Sequence, residues 1–328
     1  MLVEDFRHDL VFKCGLFSNV LYSSMKKLLC ALGMYVLFSQ LAIAGADAVR
    51  YRDIVFRQVR KDSVLYSIQG HQQLYMDVYE PVGDTAMMRP LVIMAHGGSF
   101  MHGSRHSERM PIICRELAMR GYVAVSIDYR LTDLLGMASK RNAYSEIIKA
   151  TADGRNSVRW FISDAAKSNT YHIDPSRIFF GGNSAGAILA EQLAYIDSAA
   201  ECTGTLCKVV TKYLPDSGAL PPHAIRGFIS LAGAMLDTTL IGPGQAPLLH
   251  IQGDADNVVP YGYKRPISGL ASFRLAGLGG SRPRYRSQSL DFTEYVFSKG
   301  GHTPWDHDDK LLRVVLEQMI DFLNREMK

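Results

Sequence analysis

The chain reads as a doubly wound α/β domain built on a mostly parallel sheet, and three observations predict it. Short, uniformly apolar runs such as "PLVIMA" suit strands buried on both faces of a parallel sheet. Helix-length amphipathic segments separate those runs, as strand–crossover–strand units require. Several of the runs then stop on glycines followed by polar residues, and in such sheets ligands sit at the carboxyl ends of the strands.

Taken in order, "DIVFRQVR" (53–60) and "QQLYMDVYEP" (72–81) read as two strands, the second closed by Pro81. "PLVIMAHGG" is the third, followed by a helix around Pro111–Arg120 and the strand "YVAVSIDYR". A long amphipathic helix covers about Ala143–Lys167, with Ile147, Val158, Trp160 and Phe161 on its apolar side. A strand at Arg177–Gly181 and its helix come next, then a loop rich in Pro, Gly and Cys. "IRGFISLAG", "APLLHIQGD" and "FTEYVFSKG" supply three more strands before a helix from about Asp308. The stretch 264–276 reads as a helix, and "SRPRYR" after it as a surface loop. That loop is either ordinary solvated surface or a basic rim that attracts anionic substrates.

Composition bounds the function. With 328 residues, 47% of them hydrophobic, the chain can bury the core of one large domain. A formal charge of +4 without a dense basic run argues against nucleic acid as a partner. "MKKLLCALGMYVLFSQLAIAGADA" has the three parts of a secretory signal: Lys26 and Lys27, an apolar run, and small-x-small sites at Ala42–Ala44 and Ala46–Ala48. The apolar run falls short of the roughly 20 residues of a membrane span. The expectation is therefore an upstream extension over 1–24 with the true start at Met25, a signal over 25–48, and one catalytic domain over 49–328. Such a protein is exported, to the periplasm or beyond, with no stable membrane span after cleavage. Cys202 and Cys207 bracket "TGTL" and, in an oxidising compartment, form either a local disulfide or two thiols. Cys114 reads as a buried thiol.

The decisive stretch is "RIFFGGNSAGAILAEQLAYI" (177–196), where a strand turns into a helix across Gly182-Asn183-Ser184-Ala185-Gly186. A turn that sharp leaves no room for a Cβ two residues either side of its apex, so a G-x-S-x-G lifts Ser184 over the sheet edge. The N–H groups behind it open a helix and favour negative charge. Upstream, "PLVIMA" runs into His96-Gly97-Gly98-Ser99, and the N–H groups of Gly98 and Ser99 can join that of Ala185 around a developing oxyanion. Downstream, "GDADNVVPY" offers Asp254 and Asp256. Asp256 is preferred because a loop needs reach to fold back towards an imidazole, and Asp254 suits a turn cap. "SKGGHTPW" offers His302 just past a strand end, with His307 the weaker rival.

The order Ser184, Asp256, His302 is that of a nucleophile-elbow hydrolase. With "HGGSF", "IDYRL", "IDPSRIFFGGNSAGA", "GDADNVVPY" and "GGHTP", the chain resembles the α/β-hydrolase superfamily. It is similar to bacterial carboxylesterases of the hormone-sensitive-lipase and feruloyl/acetyl-xylan-esterase-like (BD-FAE-type) groups. The resemblance runs from about Tyr51 to the C-terminus. It implies an α/β-hydrolase fold of about eight strands with no large cap domain. It also implies a carboxylesterase that works through Ser184, Asp256 and His302 on a small-molecule ester, with no metal or organic cofactor. Three departures stand out. Ser99 replaces the family's third glycine, Gln252 replaces a usual histidine and carries no catalytic meaning on this reading, and an amino-terminal helical cap is missing. A serine peptidase of the same fold and a non-catalytic binding module are the alternatives.

Overall fold

The computed structural model describes residues 55–107, 109–196, 202–215, 218–266 and 273–328. The expected extension and signal over 1–48 lie outside those residues. Among the described residues, no helix is long and apolar enough to cross a membrane.

β1 (Val59–Gln69) and β2 (Gln72–Pro81) form an antiparallel hairpin around Gly70 and His71. β3 (Arg89–Ala95), β4 (Val123–Ile127), β5 (Ile173–Asn183), β6 (Gly227–Leu231) and β7 (Leu248–Gly253) follow. A two-rung ladder of β8 (Tyr263–Lys264) with β9 (Leu275–Ala276) stands apart, and β10 (Phe292–Phe297) comes last. The main sheet has eight strands in the order β1-β2-β4-β3-β5-β6-β7-β10. Only β1–β2 and β2–β4 are antiparallel; the five remaining pairings are parallel.

Seven helices cover this sheet: α1 (Met110–Ala118), α2 (Leu134–Met137), α3 (Lys140–Ala165), α4 (Ala185–Tyr195), α5 (Gly204–Tyr213), α6 (Leu278–Ser287) and α7 (Asp309–Glu326). Alternate residues of the central strands feed two cores. Leu91 and Ile93 of β3 and Ile178 and Phe180 of β5 pack with the α3–α4 side, while Val92, Met94 and Phe179 pack with α1 and α7. A strand buried on both faces has no polar alternation, which is why these runs were legible as uniformly apolar. Three helix starts are fixed by side chains: Asp133 accepts from Gly136 N at 2.9 Å for α2, Ser139 from Asn142 N at 3.1 Å for α3, and Asp308 from Lys310 N at 2.7 Å for α7.

The chain leaves β3 for β4 on one side and returns to β5 on the other, so β3 and β5 are neighbours at a topological switch point. The crevice beyond their carboxyl ends is where such sheets bind ligands. "HGGSF" and the G-x-S-x-G turn both open there.

Three expectations need correction, and one open alternative is resolved. The first strand is Val59–Gln69, not 53–60. It is an edge strand with a solvated face, so Arg60, Lys61 and Ser63 interrupt the apolar signal. The stretch 264–276 is not a helix: Lys264 and Leu275 pair across the β8–β9 ladder, with 267–272 outside the described residues. "SRPRYR" is helix α6 rather than a loop, despite Pro283. Buried Tyr285, Arg282 on Glu294 at 2.6 Å and Arg284 on Ile241 O at 2.8 Å hold it to the body. All three of its arginines thus have intramolecular partners, with Arg286 Nη2 3.6 Å from Glu294 Oε1. Finally, Cys202 and Cys207 are thiols joined by a hydrogen bond, not a disulfide, and burial pushes the Cys202 thiol up to about 12.

The α3–α4 core encloses one polar cluster. Glu191 of α4 is fully buried and accepts from Ser230 Oγ at 2.6 Å and from the Tyr285 hydroxyl at 3.4 Å. His250 Nδ1 lies 3.5 Å from the same carboxyl. Burial pushes Glu191 up to about 8 and His250 down to about 3, so both are neutral at pH 7. A carboxyl that keeps its proton when folded but releases it near 4.5 when unfolded costs stability as pH rises between those values. Glu191→Gln should therefore gain on wild type by roughly 1 kcal/mol per pH unit from pH 5 to 8. Denaturant titrations of both proteins at three pH values in that range measure it. Parallel stability curves would show that the folded carboxyl is ionised.

Candidate active site

Ser184 stands between β5 and α4 with φ 53° and ψ −114°, a backbone region that a side chain rarely occupies. The turn is enforced by crowding. A Cβ at Gly182 would strike the backbone of Gly186, and one at Gly186 would strike the carbonyl of Ala95 at the end of β3. The apex is further held by Ser184 N donating to Leu231 O at 2.7 Å. Ser184 is nearly buried, at 7% exposure. Its hydroxyl has one side-chain partner, His302 Nε2, at 2.8 Å.

His302 lies on the loop after β10, and its Nδ1 sits 2.8 Å from Asp256 Oδ2. Asp256 is on the loop after β7 and is 3% exposed. Its Oδ1 accepts from Val258 N at 2.9 Å and Val259 N at 3.1 Å, and Gln252 Nε2 approaches Oδ2 at 3.3 Å. The structure therefore brings Ser184, His302 and Asp256 into one hydrogen-bonded line. Asp254 is turned away, exposed, with its Oδ1 accepting from Lys299 N at 2.6 Å. That bond, with Ala255 N donating to Gly300 O at 2.9 Å, ties the two loops together. His307 is exposed and outside the line.

The loop after β3 crosses the same crevice. Gly98, Ser99 and Phe100 all take positive φ, at 110°, 56° and 63°. Ser99 thus occupies the left-handed region that the missing third glycine would enter freely, at a cost of roughly 1 kcal/mol. Ala185 is the first residue of α4, and first-turn N–H groups have no acceptor within their helix. Beneath the loop, the His96 ring stacks on Tyr129 with centroids 4.3 Å apart, and Tyr129 donates its hydroxyl to His96 O at 2.8 Å. Burial pushes His96 down, which keeps the ring neutral. Arg105 fixes the far end of the loop, bonding Asp77 at 2.9 Å and Asp128 at 2.6 Å.

Sequence reasoning missed two further supports. Asn183, the variable letter of the elbow, accepts from Trp305 Nε1 at 3.2 Å and donates to Asp306 Oδ2 at 3.4 Å. Trp305 is fully buried, so the His302 loop is moored to the residue beside Ser184. Its closeness to His302 in "GGHTPW" was the only available signal. The other is Gln252, fully buried beside Asp256. Among the described residues, no group of His, Cys, Asp and Glu has the arrangement of a metal site.

With that geometry in hand, three comparisons bear on identity. The BD-FAE family model matches residues 76–217, which hold the oxyanion-loop candidate and the elbow. Among curated proteins, the polyketide synthase ascC of Acremonium egyptiacum is 28% identical over 51% of this chain and 7% of its own length. The gibberellin receptor GID1B of Arabidopsis thaliana is 29% identical over 36% of this chain and 30% of its own. The chain therefore spans a third or less of either relative. Among solved structures, esterase 2 of Thermogutta terrifontis with propionate bound superposes with a TM-score of 0.59 at 20% identity, covering 80% of this chain and 93% of that one. The same esterase phosphorylated by paraoxon gives 0.57 over the same shares. Residues 76–217 are thus similar to the BD-FAE family, and the sheet that carries them has the α/β-hydrolase fold of these esterase structures.

Proposed function

We propose that the chain is a serine carboxylic-ester hydrolase acting on small to medium esters through an acyl-enzyme. The observation that carries this reading is the unbroken line from Ser184 Oγ through His302 to Asp256, 2.8 Å at each step. Its fold neighbours include an esterase.

In this mechanism His302 Nε2 accepts the Ser184 proton as Oγ attacks the ester carbonyl carbon. Asp256 accepts from Nδ1–H, which fixes the tautomer and stabilises the imidazolium that forms. The carbonyl oxygen, now negative, rests on N–H groups of Gly98, Ser99 and Ala185. His302 then returns its proton to the leaving alkoxide. Water attacks the acyl-enzyme by the same route, His302 again taking a proton, and the acid departs.

The similarity to a gibberellin receptor raises a second reading, a binding module without turnover. An intact serine–histidine–aspartate line counts against it, because binding alone gives no reason to keep all three groups in register. A peptidase would share the line but needs a subsite for the amino side of the scissile bond.

Fluorophosphonate treatment and peptide mapping should place a single adduct on Ser184. Ser184→Ala should lower kcat for p-nitrophenyl acetate on the order of 10⁵-fold with the fold intact by circular dichroism. Label elsewhere, or an alanine variant that keeps its turnover, would falsify the assignment. Wild-type protein should also hydrolyse p-nitrophenyl acetate well and an aminoacyl p-nitroanilide poorly. Comparable kcat/KM values for the two would move the reading to a peptidase.

A further inference from the structure

Gln252 is the penultimate residue of β7, fully buried, at a position where the family resemblance leads one to expect histidine. Its amide has three partners. Oε1 accepts from Leu278 N at 2.8 Å, and Nε2 donates to Val259 O at 2.8 Å and to Asp256 Oδ2 at 3.3 Å. The orientation of the amide follows from those partners. An N–H can only meet the amide oxygen, and a carbonyl can only meet the NH₂. The amide packs tightly against α6, since a Cβ at Gly277 would lie 2.8 Å from Oε1 and 3.0 Å from Nε2.

An ionised carboxylate offers about four lone-pair directions. On Asp256 these meet Val258 N and Val259 N at Oδ1, and His302 Nδ1 and Gln252 Nε2 at Oδ2. The two oxygens are therefore not interchangeable. Oδ1 is committed to the turn, and Oδ2 is shared between the imidazole and one side-chain amide.

We propose that Gln252 is a positioning residue of the triad acid: it holds Asp256 Oδ2 on His302 Nδ1 and shares that oxygen's negative charge. The proposal rests on the esterase reading above. An amide does not titrate, so its donation to Oδ2 is the same at every working pH. Without it, the carboxylate loses one of the groups that fix its rotation, and Oδ2 is left with the imidazole as its one side-chain donor. The same amide spans β7, the loop at Val259 and the start of α6, so it couples the acid's position to that helix.

The test compares wild type, Gln252→Met and Gln252→His, using p-nitrophenyl butyrate from pH 5 to 9 and a fluorophosphonate to count reactive Ser184. Methionine keeps nearly the same volume without a donor, and histidine restores one. For the methionine variant, kcat per labelled site should fall about ten- to a hundredfold with KM within about twofold. The acid limb of its kcat/KM profile should move up by roughly half a pH unit or more. The histidine variant should recover most of that kcat and return the acid limb towards wild type. Two results overturn the assignment: wild-type kcat and acid limb in Gln252→Met, or a loss that vanishes once activity is divided by labelled sites. A wild-type chain that neither labels nor turns over ester overturns the underlying reading instead, so the two failures are distinguishable.

Discussion

Everything at the catalytic face depends on how closely the first turn of α4 approaches the end of β3. Gly186 lies against the backbone carbonyls of Ala95 and His96, with no space between them for a methyl group. That contact does two things at once. It forces Ser184 into a positive-φ apex, and it brings the first turn of α4 against the end of β3, from which the loop of Gly98 and Ser99 departs. Two segments far apart in sequence meet there through their backbones and not their side chains. The strain at Ser184 and Ser99 is stored in short segments that fully paired parallel strands over-determine.

Buried charge is handled in two different ways around this face. Asp256 is kept where its carboxylate finds four donors, two of them backbone N–H groups. Glu191, only two helical turns beyond Ser184, has hydroxyl donors alone and is held neutral by burial. Both are carboxyls in the interior of one sheet. What separates them is the number and kind of donors, and only the first sits at a strand end where loop N–H groups are plentiful.

The sequence made the central architecture legible because strands buried on both faces carry a strong, continuous signal. It made the triad legible because glycine-flanked strand ends are where such sheets expose reactive side chains. The edge strand β1 was displaced because solvation on one face breaks its apolar run. α6 was read as loop because Pro283 and its arginines look like punctuation, whereas their partners Glu294 and Ile241 lie on other elements. Gln252 was set aside for a similar reason. Its role is defined by Asp256, Val259 and Leu278, and the last of these contacts spans 26 positions. Pattern reading finds residues whose local context is unusual; it does not find ordinary residues whose partners are remote.

The mooring of Trp305 and Asp306 on Asn183 has a consequence for how this scaffold can diverge. The second letter of a G-x-S-x-G, Asn183 here, is written as free to vary. Here it is one half of a joint whose other half lies 122 positions later. A change on either side must be matched on the other, so the elbow and the histidine loop form a single inherited cassette. Transplanting either one alone into a related scaffold would deliver a serine and a histidine that are each well formed and yet out of register.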